Sequence, residues 1–218
     1  MARKQTAPAS DRIPPPAPPG TRERLLAAAA AEFAARGFAG TRVDRIAAAA
    51  RVNKAMIYYH FGSKAALYQE ILGDMFQAVN ANVRRVAAAA DPPEEKLAQF
   101  VAAIAREAEA RPHFPQIWFR EIAEGGVHLG EPALGDMAGV VLTLGTILDQ
   151  GVRSRRFRRT DPLLVHATIV APLLLFFASA GVRRRLDRAG LSGAGGITRD
   201  AVVAHVQRIT RSLVEGRV

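Results

Sequence analysis

Apolar residues recur at helical spacing from residue 21 onward, and no stretch sustains the period-two alternation that a half-buried strand would show. Leu25, Leu26, Ala29 and Phe33 share one face of a helix that Thr21 can cap and Gly37 can stop. A second, short helix opens at Gly40-Thr41, where Thr41 and Asp44 stand three apart as in a capping box, with Asp in place of Glu. Ile46, Ala47 and Ala50 form its buried side. A tight turn at Arg51-Val52-Asn53 leads into a third helix, Lys54 to about Phe61. Gly62-Ser63 ends it, and Ser63 caps a long fourth helix carrying Leu67, Ile71, Met75 and Val79.

Beyond residue 90 the punctuation is Pro and Gly. Asp91-Pro92-Pro93 starts a helix with Leu97, Phe100, Val101, Ile104 and Ala108 at helical spacing, and Arg111-Pro112 ends it. An aromatic segment, residues 113–123, precedes Gly125-Gly126. Pro132 opens a helix with Leu134, Met137, Val141, Leu144 and Leu148 on one face. Asp161-Pro162 opens an apolar stretch to Val182, and Thr198 caps a last helix to about Glu215. The pattern predicts an all-α chain of nine or ten helices.

Composition narrows the functions open to such a chain. The 218 residues are 49% hydrophobic, enough for a sizeable core, and the formal net charge is +10. Residues 1–64 hold 11 Lys/Arg against 4 Asp/Glu, whereas the remaining 154 residues carry only +3. A small basic module ahead of a nearly balanced body points to nucleic acid at the N-terminal end, with an anionic membrane surface as the other polyanion to weigh. Residues 1–20 include six prolines and read as a Pro-rich disordered arm, either an inert leader or a basic arm reaching DNA through Arg3, Lys4 and Arg12. There is no cysteine, so disulfides, thiolate metal sites and Cys nucleophiles are excluded. No signal-peptide core, G-x-S-x-G, H-E-x-x-H or P-loop is present. We expect a cytoplasmic protein that is not an enzyme and needs no cofactor or metal.

Three short helices in about 40 residues, the last two joined by a three-residue turn, form a helix-turn-helix. On the third helix Ile57 and Phe61 must face the core, so Ala55, Met56 and Tyr59 are expected to project outward, flanked by Lys54 and Tyr58. In a major groove, small residues permit close approach, Met meets thymine methyls and Tyr hydroxyls donate to phosphates. Partial burial is the competing reading for Tyr58 and Tyr59. Lys54, His60 and Lys64 surround this face with backbone-directed donors, and Thr41 and Arg42 offer a helix N-terminus to another phosphate.

The run Phe38–Tyr68, above all the third helix followed by Phe61-Gly62-Ser63-Lys64-x-x-Leu67-Tyr68, resembles the DNA-binding domain of the TetR/AcrR family. The resemblance is strong over about 50 residues and only architectural beyond them. It implies a helix-turn-helix domain at 21–66, a ligand-binding and dimerisation domain at 67–218, and a homodimer on palindromic double-stranded DNA. It further implies a repressor released by a small apolar or amphipathic ligand. By the resemblance, Thr41, Tyr58, His60 and Lys64 fall at phosphate-contacting positions, and Lys54, Ala55 and Tyr59 where bases are read. Two positions depart from the family pattern: Arg51 stands where the turn commonly has Gly, and Met56 where Thr is frequent.

In the body, Val202, Val206, Ile209 and Leu213 make a narrow stripe suited to a helix–helix seam, read as a dimer interface, with intrachain packing as the alternative. The stretch Leu163–Val182 is long enough to span a bilayer, yet it contains His166, Thr168, Pro172 and Ser179 and has arginines at both ends, so a buried helix and no membrane is expected. Candidates for an apolar ligand pocket are Met75, Phe76, Phe100, Ile104, Phe114, Trp118, Phe119, Ile122, Met137, Val141 and Phe177. His113, Arg120, Glu121 and His128 could add polar contacts or pair among themselves. Two rival functions remain at this point: a basic membrane-associated helical protein, and a helix-turn-helix relative that acts through protein partners.

Overall fold

The structure, a computed structural model, describes residues 20–191, 193 and 195–216. The Pro-rich arm expected at 1–20 lies outside the described residues, apart from Gly20. Ten helices and no strand are present among the described residues: α1 (Thr21–Gly40), α2 (Val43–Ala50), α3 (Ala55–Phe61), α4 (Lys64–Ala88), α5 (Pro93–Ala110), α6 (Phe114–Ala123), α7 (Glu131–Arg153), α8 (Pro162–Ala178), α9 (Ala180–Arg188) and α10 (Arg199–Glu215).

Local chemistry sets most of the boundaries. Ser63 accepts from the Ala66 amide, Asp161 from Leu163 and Leu164, and Thr198 from Ala201, each satisfying an orphan donor in the first turn. Pro93, Pro115, Pro132 and Pro162 sit in first turns, where the missing N–H costs nothing. Two expected caps are absent. The residue before α1 is Gly20 in the left-handed region, while Thr21 is buried and accepts a hydrogen bond from Arg24. α2 starts after Arg42, and Thr41 makes no capping box with Asp44. Gly37 does interrupt α1: its φ of 70° and ψ of 176° are open essentially only to glycine, and a further turn follows to Gly40.

The first three helices bury Leu25, Phe33, Ile46, Ile57 and Phe61 around the N-terminal end of α4. The body packs α4, α5, α7, α8 and α10 on one another, and α6 contacts α1, α4 and α8. The expected division at residues 66 and 67 falls inside α4, so one continuous helix joins the head to the body. α4 and α7 approach closely at Gly139, where a Cβ would lie 2.8 Å from the Asn80 side chain. α7 has the length and hydropathy of a membrane span, and here it is a wall of the body packed against α4, α5 and α8.

One expectation for the C-terminal part is corrected, and the α10 stripe is partly covered within the chain. The apolar stretch 163–182 is not one helix: it breaks at Ser179 and α9 leaves at 60° to α8. Arg183 stabilises the bend, donating to the Phe176 carbonyl and to Ser179 Oγ, with its guanidinium 3.9 Å from the Phe176 ring. The stripe on α10 is chiefly an intrachain seam. Val206 is 1% exposed, Val202 and Leu213 are half-buried, and only Ile209, at 44%, faces out. α10 lies against α5 and α8, and that contact covers Val206 while leaving Ile209 open. The apolar side left open belongs to α8, where Leu164, Ala171 and Leu175 are exposed at i, i+7 and i+11.

Candidate functional site

The turn between α2 and α3 is built on Arg51, which adopts φ 56° and ψ 46° and closes α2 through its own N–H and that of Val52. A left-handed conformation costs a non-glycine residue about 1–2 kcal/mol, so this chain carries strain where glycine would have none. Asn53 Oδ1 then accepts from the Ala55 amide at 2.8 Å and starts α3.

α3 is seven residues long and divides cleanly around its circumference. Met56, Ile57 and Phe61 turn inward; Ala55, Tyr58 and Tyr59 turn outward at i, i+3 and i+4. Tyr58 and Tyr59 are 48% and 58% exposed, an unusual display for two aromatic residues on so short a helix. Lys54 stands beside them, 3.0 Å from Asp44, whose carboxylate raises the ammonium pKa above its ordinary value through a hydrogen bond and opposite charge. Arg42, Arg45 and Arg51 are exposed before, on and after α2 respectively. Arg45 was missed in the sequence, although a basic residue one turn along from Arg42 was the available signal.

Four residues expected at DNA are less exposed than these. Met56 is only 9% exposed, because the inward arc of α3 is wide enough to include the position before Ile57. Thr41 is 2% exposed; its hydroxyl lies 2.8 Å from the Gly37 carbonyl and 3.1 Å from that of Glu32. Lys64 donates to the Phe38 and Thr41 carbonyls at 2.8 and 2.9 Å and sits 4.3 Å from the Phe38 ring centroid. The kink at Gly37 frees carbonyls at the end of α1, and Thr41 and Lys64 satisfy them. His60 is half-buried, with Nε2 enclosed and no hydrogen-bond partner for it among the described residues.

The body contains an apolar cavity of about 310 Å³. It brings together Met75 and Phe76 of α4, Ile104 of α5, Phe114 and Trp118 of α6, and Met137 and Val141 of α7. Phe76 meets Phe114 and Trp118 edge-on, with centroids 5.4 and 5.2 Å apart. The cavity leaves out four candidates. Phe100 is fully buried behind the wall and Phe177 packs beside the core. Phe119 and Ile122 face outward, since α6 buries the side carrying Phe114, Pro115, Ile117 and Glu121. α8 completes the wall with Leu163, His166, Val170 and Leu174, none of them anticipated. The aliphatic members carry no signal distinguishing cavity from core; His166 did, as the one titratable side chain within 163–182.

Between head and cavity lies a buried polar joint. Glu121 of α6 accepts from the Tyr68 hydroxyl of α4 at 3.0 Å and from the His128 amide at 2.7 Å, with His128 Nδ1 at 3.1 Å. Burial first, and then the Glu121 charge, raise the Tyr68 pKa far above its usual value, so the phenol stays a donor. Phe38 of the head packs at a tilt against His128 and Tyr68, with ring centroids 4.1 and 5.1 Å away. Glu121 and His128 therefore brace the joint and do not line the cavity.

Residues 25–71 match the bacterial regulatory proteins of the tetR family, and residues 93–186 match the tetracyclin repressor-like C-terminal domain. The HTH-type transcriptional repressor NicS of Pseudomonas putida is 32% identical over 162 residues, covering 72% of this chain and 74% of that protein. The chain belongs to the tetR family. It is a DNA-binding transcriptional regulator with an N-terminal helix-turn-helix and a helical C-terminal domain. Among solved structures, the tetR-family regulator PfmR of Thermus thermophilus is 25% identical, with a TM-score of 0.64 over 88% of this chain and 97% of its own. FadR of Bacillus subtilis in complex with stearoyl-CoA shares the fold, with a TM-score of 0.68 at 16% identity over 88% of this chain and 98% of its own.

Proposed function

We propose that this tetR-family regulator is a cytoplasmic, non-catalytic repressor that binds a palindromic operator as a homodimer and is released by a small apolar ligand. One observation carries the reading. α4 presents Met75, Phe76 and Val79 to the cavity, while Lys64 in its first turn holds the α1–α2 junction beneath the helix-turn-helix. A ligand that displaces α4 or α6 thus moves the frame on which α3 stands. The head extends over about residues 21–66 and the ligand-binding and dimerising body over the remainder.

Within the head, Arg42, Arg45, Lys54, Ala55, Tyr58 and Tyr59 are the residues we assign to DNA, with phosphates for the arginines and Tyr58 and base edges for Lys54, Ala55 and Tyr59. For the dimer, we assign the contact to the open side of α8 at Leu164, Ala171 and Leu175 together with Ile209, the exposed member of the α10 stripe. Two heads held by such a contact enter successive major grooves about 34–36 Å apart, so a small change in their separation suffices to lose the operator. NicS is named a repressor, and FadR holds a ligand in the same fold; both support the assignment.

The test is selection of bound duplexes from random DNA at moderate salt. An enriched inverted repeat is the expected result. Enrichment of a single half-site without symmetry would remove the dimer from the reading, and no enrichment at low salt would remove the operator.

A further inference from the structure

The cavity wall is apolar except at two points. His166 is its one titratable side chain, and Trp118 is the other lining residue whose side chain carries a hydrogen-bonding nitrogen. No carboxylate, ammonium or guanidinium reaches the wall. His166 projects from α8 among Leu163, Val170 and Leu174, and neither imidazole nitrogen has a hydrogen-bond partner among the described residues. His166 is half-buried, and at an apolar wall its nitrogens meet no protein partner and at most the water that enters the cavity. Its surroundings suit a ligand that supplies the missing hydrogen bond.

The same wall restricts what that ligand can be. A cation would enter without a counter-charge, and a phosphorylated or otherwise polyanionic compound would be desolvated for a single imidazole. Burial holds the His166 pKa below its ordinary value, which favours the neutral ring and so a neutral guest. Size and shape restrict it further. An apolar cavity of about 150 Å³ holds benzene, so one of about 310 Å³ takes a substituted or fused ring. Phe76, Phe114 and Trp118 offer ring faces and edges to an aromatic guest, and Met75 and Met137 adapt around it.

We propose that the cavity takes a compact, uncharged aromatic compound bearing one hydroxyl group, and that His166 reads the hydroxyl. The proposal rests on the reading of this cavity as the effector site. It sets the chain apart from a fold neighbour that holds stearoyl-CoA, whose charged head finds no partner on this wall.

Trp118 is the chain's single tryptophan and lies on the wall, so its fluorescence reports occupancy directly. Four probes of one apolar shape separate the terms: 4-tert-butylphenol, tert-butylbenzene, 4-tert-butylbenzoate and 4-tert-butylbenzylamine. In titrations of the full chain, the phenol is expected to bind most tightly, about tenfold better than the hydrocarbon, as for one net hydrogen bond. His166→Leu is expected to bring the phenol-to-hydrocarbon ratio to about one, and His166→Gln to keep part of it. Equal binding of phenol and hydrocarbon to the unmodified protein overturns the role of His166 while leaving the cavity intact. Tighter binding of the benzoate or the amine overturns the ligand class. Silence of Trp118 toward all four probes removes the effector cavity, and the ligand-released half of the proposed function with it. Because the first comparison uses the unmodified chain, it decides even where a variant fails to fold.

Discussion

The carboxylate of Glu121, fully buried in α6, accepts a hydrogen bond from the Tyr68 hydroxyl of α4 at 3.0 Å. Tyr68 in turn packs edge-on against Phe33 at 4.8 Å, so this one contact ties the cavity-lining helix α6 to the core of the DNA-binding head. Tyr68→Phe keeps the ring packing and removes one donor from a buried carboxylate. It is expected to cost about 1–3 kcal/mol of stability, read from urea denaturation. If the joint transmits ligand binding, the same variant also loses part of the ligand-induced drop in operator affinity. A variant with unchanged stability would show that the carboxylate is satisfied without Tyr68.

Lys54 and Lys64 bracket α3, and the structure gives them opposite consequences. Lys54 is exposed and pairs only with exposed Asp44, a contact worth little to stability. Lys54→Ala is expected to leave the melting temperature within error while weakening operator binding by about 1–3 kcal/mol, as for a base contact. Lys64→Met removes the ammonium donor from the Thr41 carbonyl and one of two donors from the Phe38 carbonyl, and should lower stability by about 1–3 kcal/mol. Its salt slope of DNA binding should stay at the unmodified value, whereas Arg42→Ala flattens that slope by about one unit. A flattened slope in Lys64→Met would return Lys64 to the phosphates.

Arg51 offers a substitution expected to improve stability. Its φ of 56° is left-handed, and Arg51→Gly relieves a penalty of about 1–2 kcal/mol, partly offset by the greater freedom of glycine in the unfolded chain. Thermal unfolding should move upward, and a downward shift would mean that the arginine side chain makes a contact outweighing the strain. Loss of its charge near DNA also lets the salt slope decide whether Arg51 touches a phosphate.

The helix boundaries were legible because they depend on neighbours in sequence: Ser63, Asp161 and Thr198 cap within three residues, and prolines mark first turns. The strain at Arg51 was legible for the same reason, since a turn of fixed shape demands a left-handed residue there. The intrachain partners of Thr41 and Lys64 were not legible because they exist only after Gly37 kinks α1 and exposes carbonyls 23 and more residues from Lys64. The burial of Met56 was not legible because a seven-residue helix gives too few positions for periodicity to fix the width of its buried arc. The aromatic half of the cavity was readable in Phe76, Phe114 and Trp118. Its aliphatic half was not, since Val140 or Leu174 looks alike whether it meets a neighbour or a void.

The two candidate dimer faces separate by mutation. Leu164 and Leu175 point away from the protomer, so replacing both with Glu should leave the fold intact and yield a monomer in sedimentation. Val206→Glu instead places a charge in the α10 seam against α5 and α8 and is expected to unfold the body. A dimer that survives the double α8 substitution would move the interface to another surface.

His166 gives the stability of the protein a pH dependence whose sign is fixed by burial. Its folded pKa lies below 6.5, the ordinary histidine value that the unfolded chain retains. At pH 7.5 or so both states hold the neutral ring, and the group contributes no slope. As pH falls below about 6.5 the unfolded chain takes up the proton first, so it binds more protons than the folded chain and stability declines. The decline ends once pH passes below the folded pKa and both states are charged. His166→Leu has no such proton to take up. Urea midpoints measured across this range should therefore run parallel for the two proteins above about pH 7.5 and diverge below about pH 6.5, with only the unmodified chain losing the His166 share. Parallel profiles throughout would mean that water reaches the imidazole freely, and a histidine so solvated could not discriminate a hydroxylated ring from its hydrocarbon.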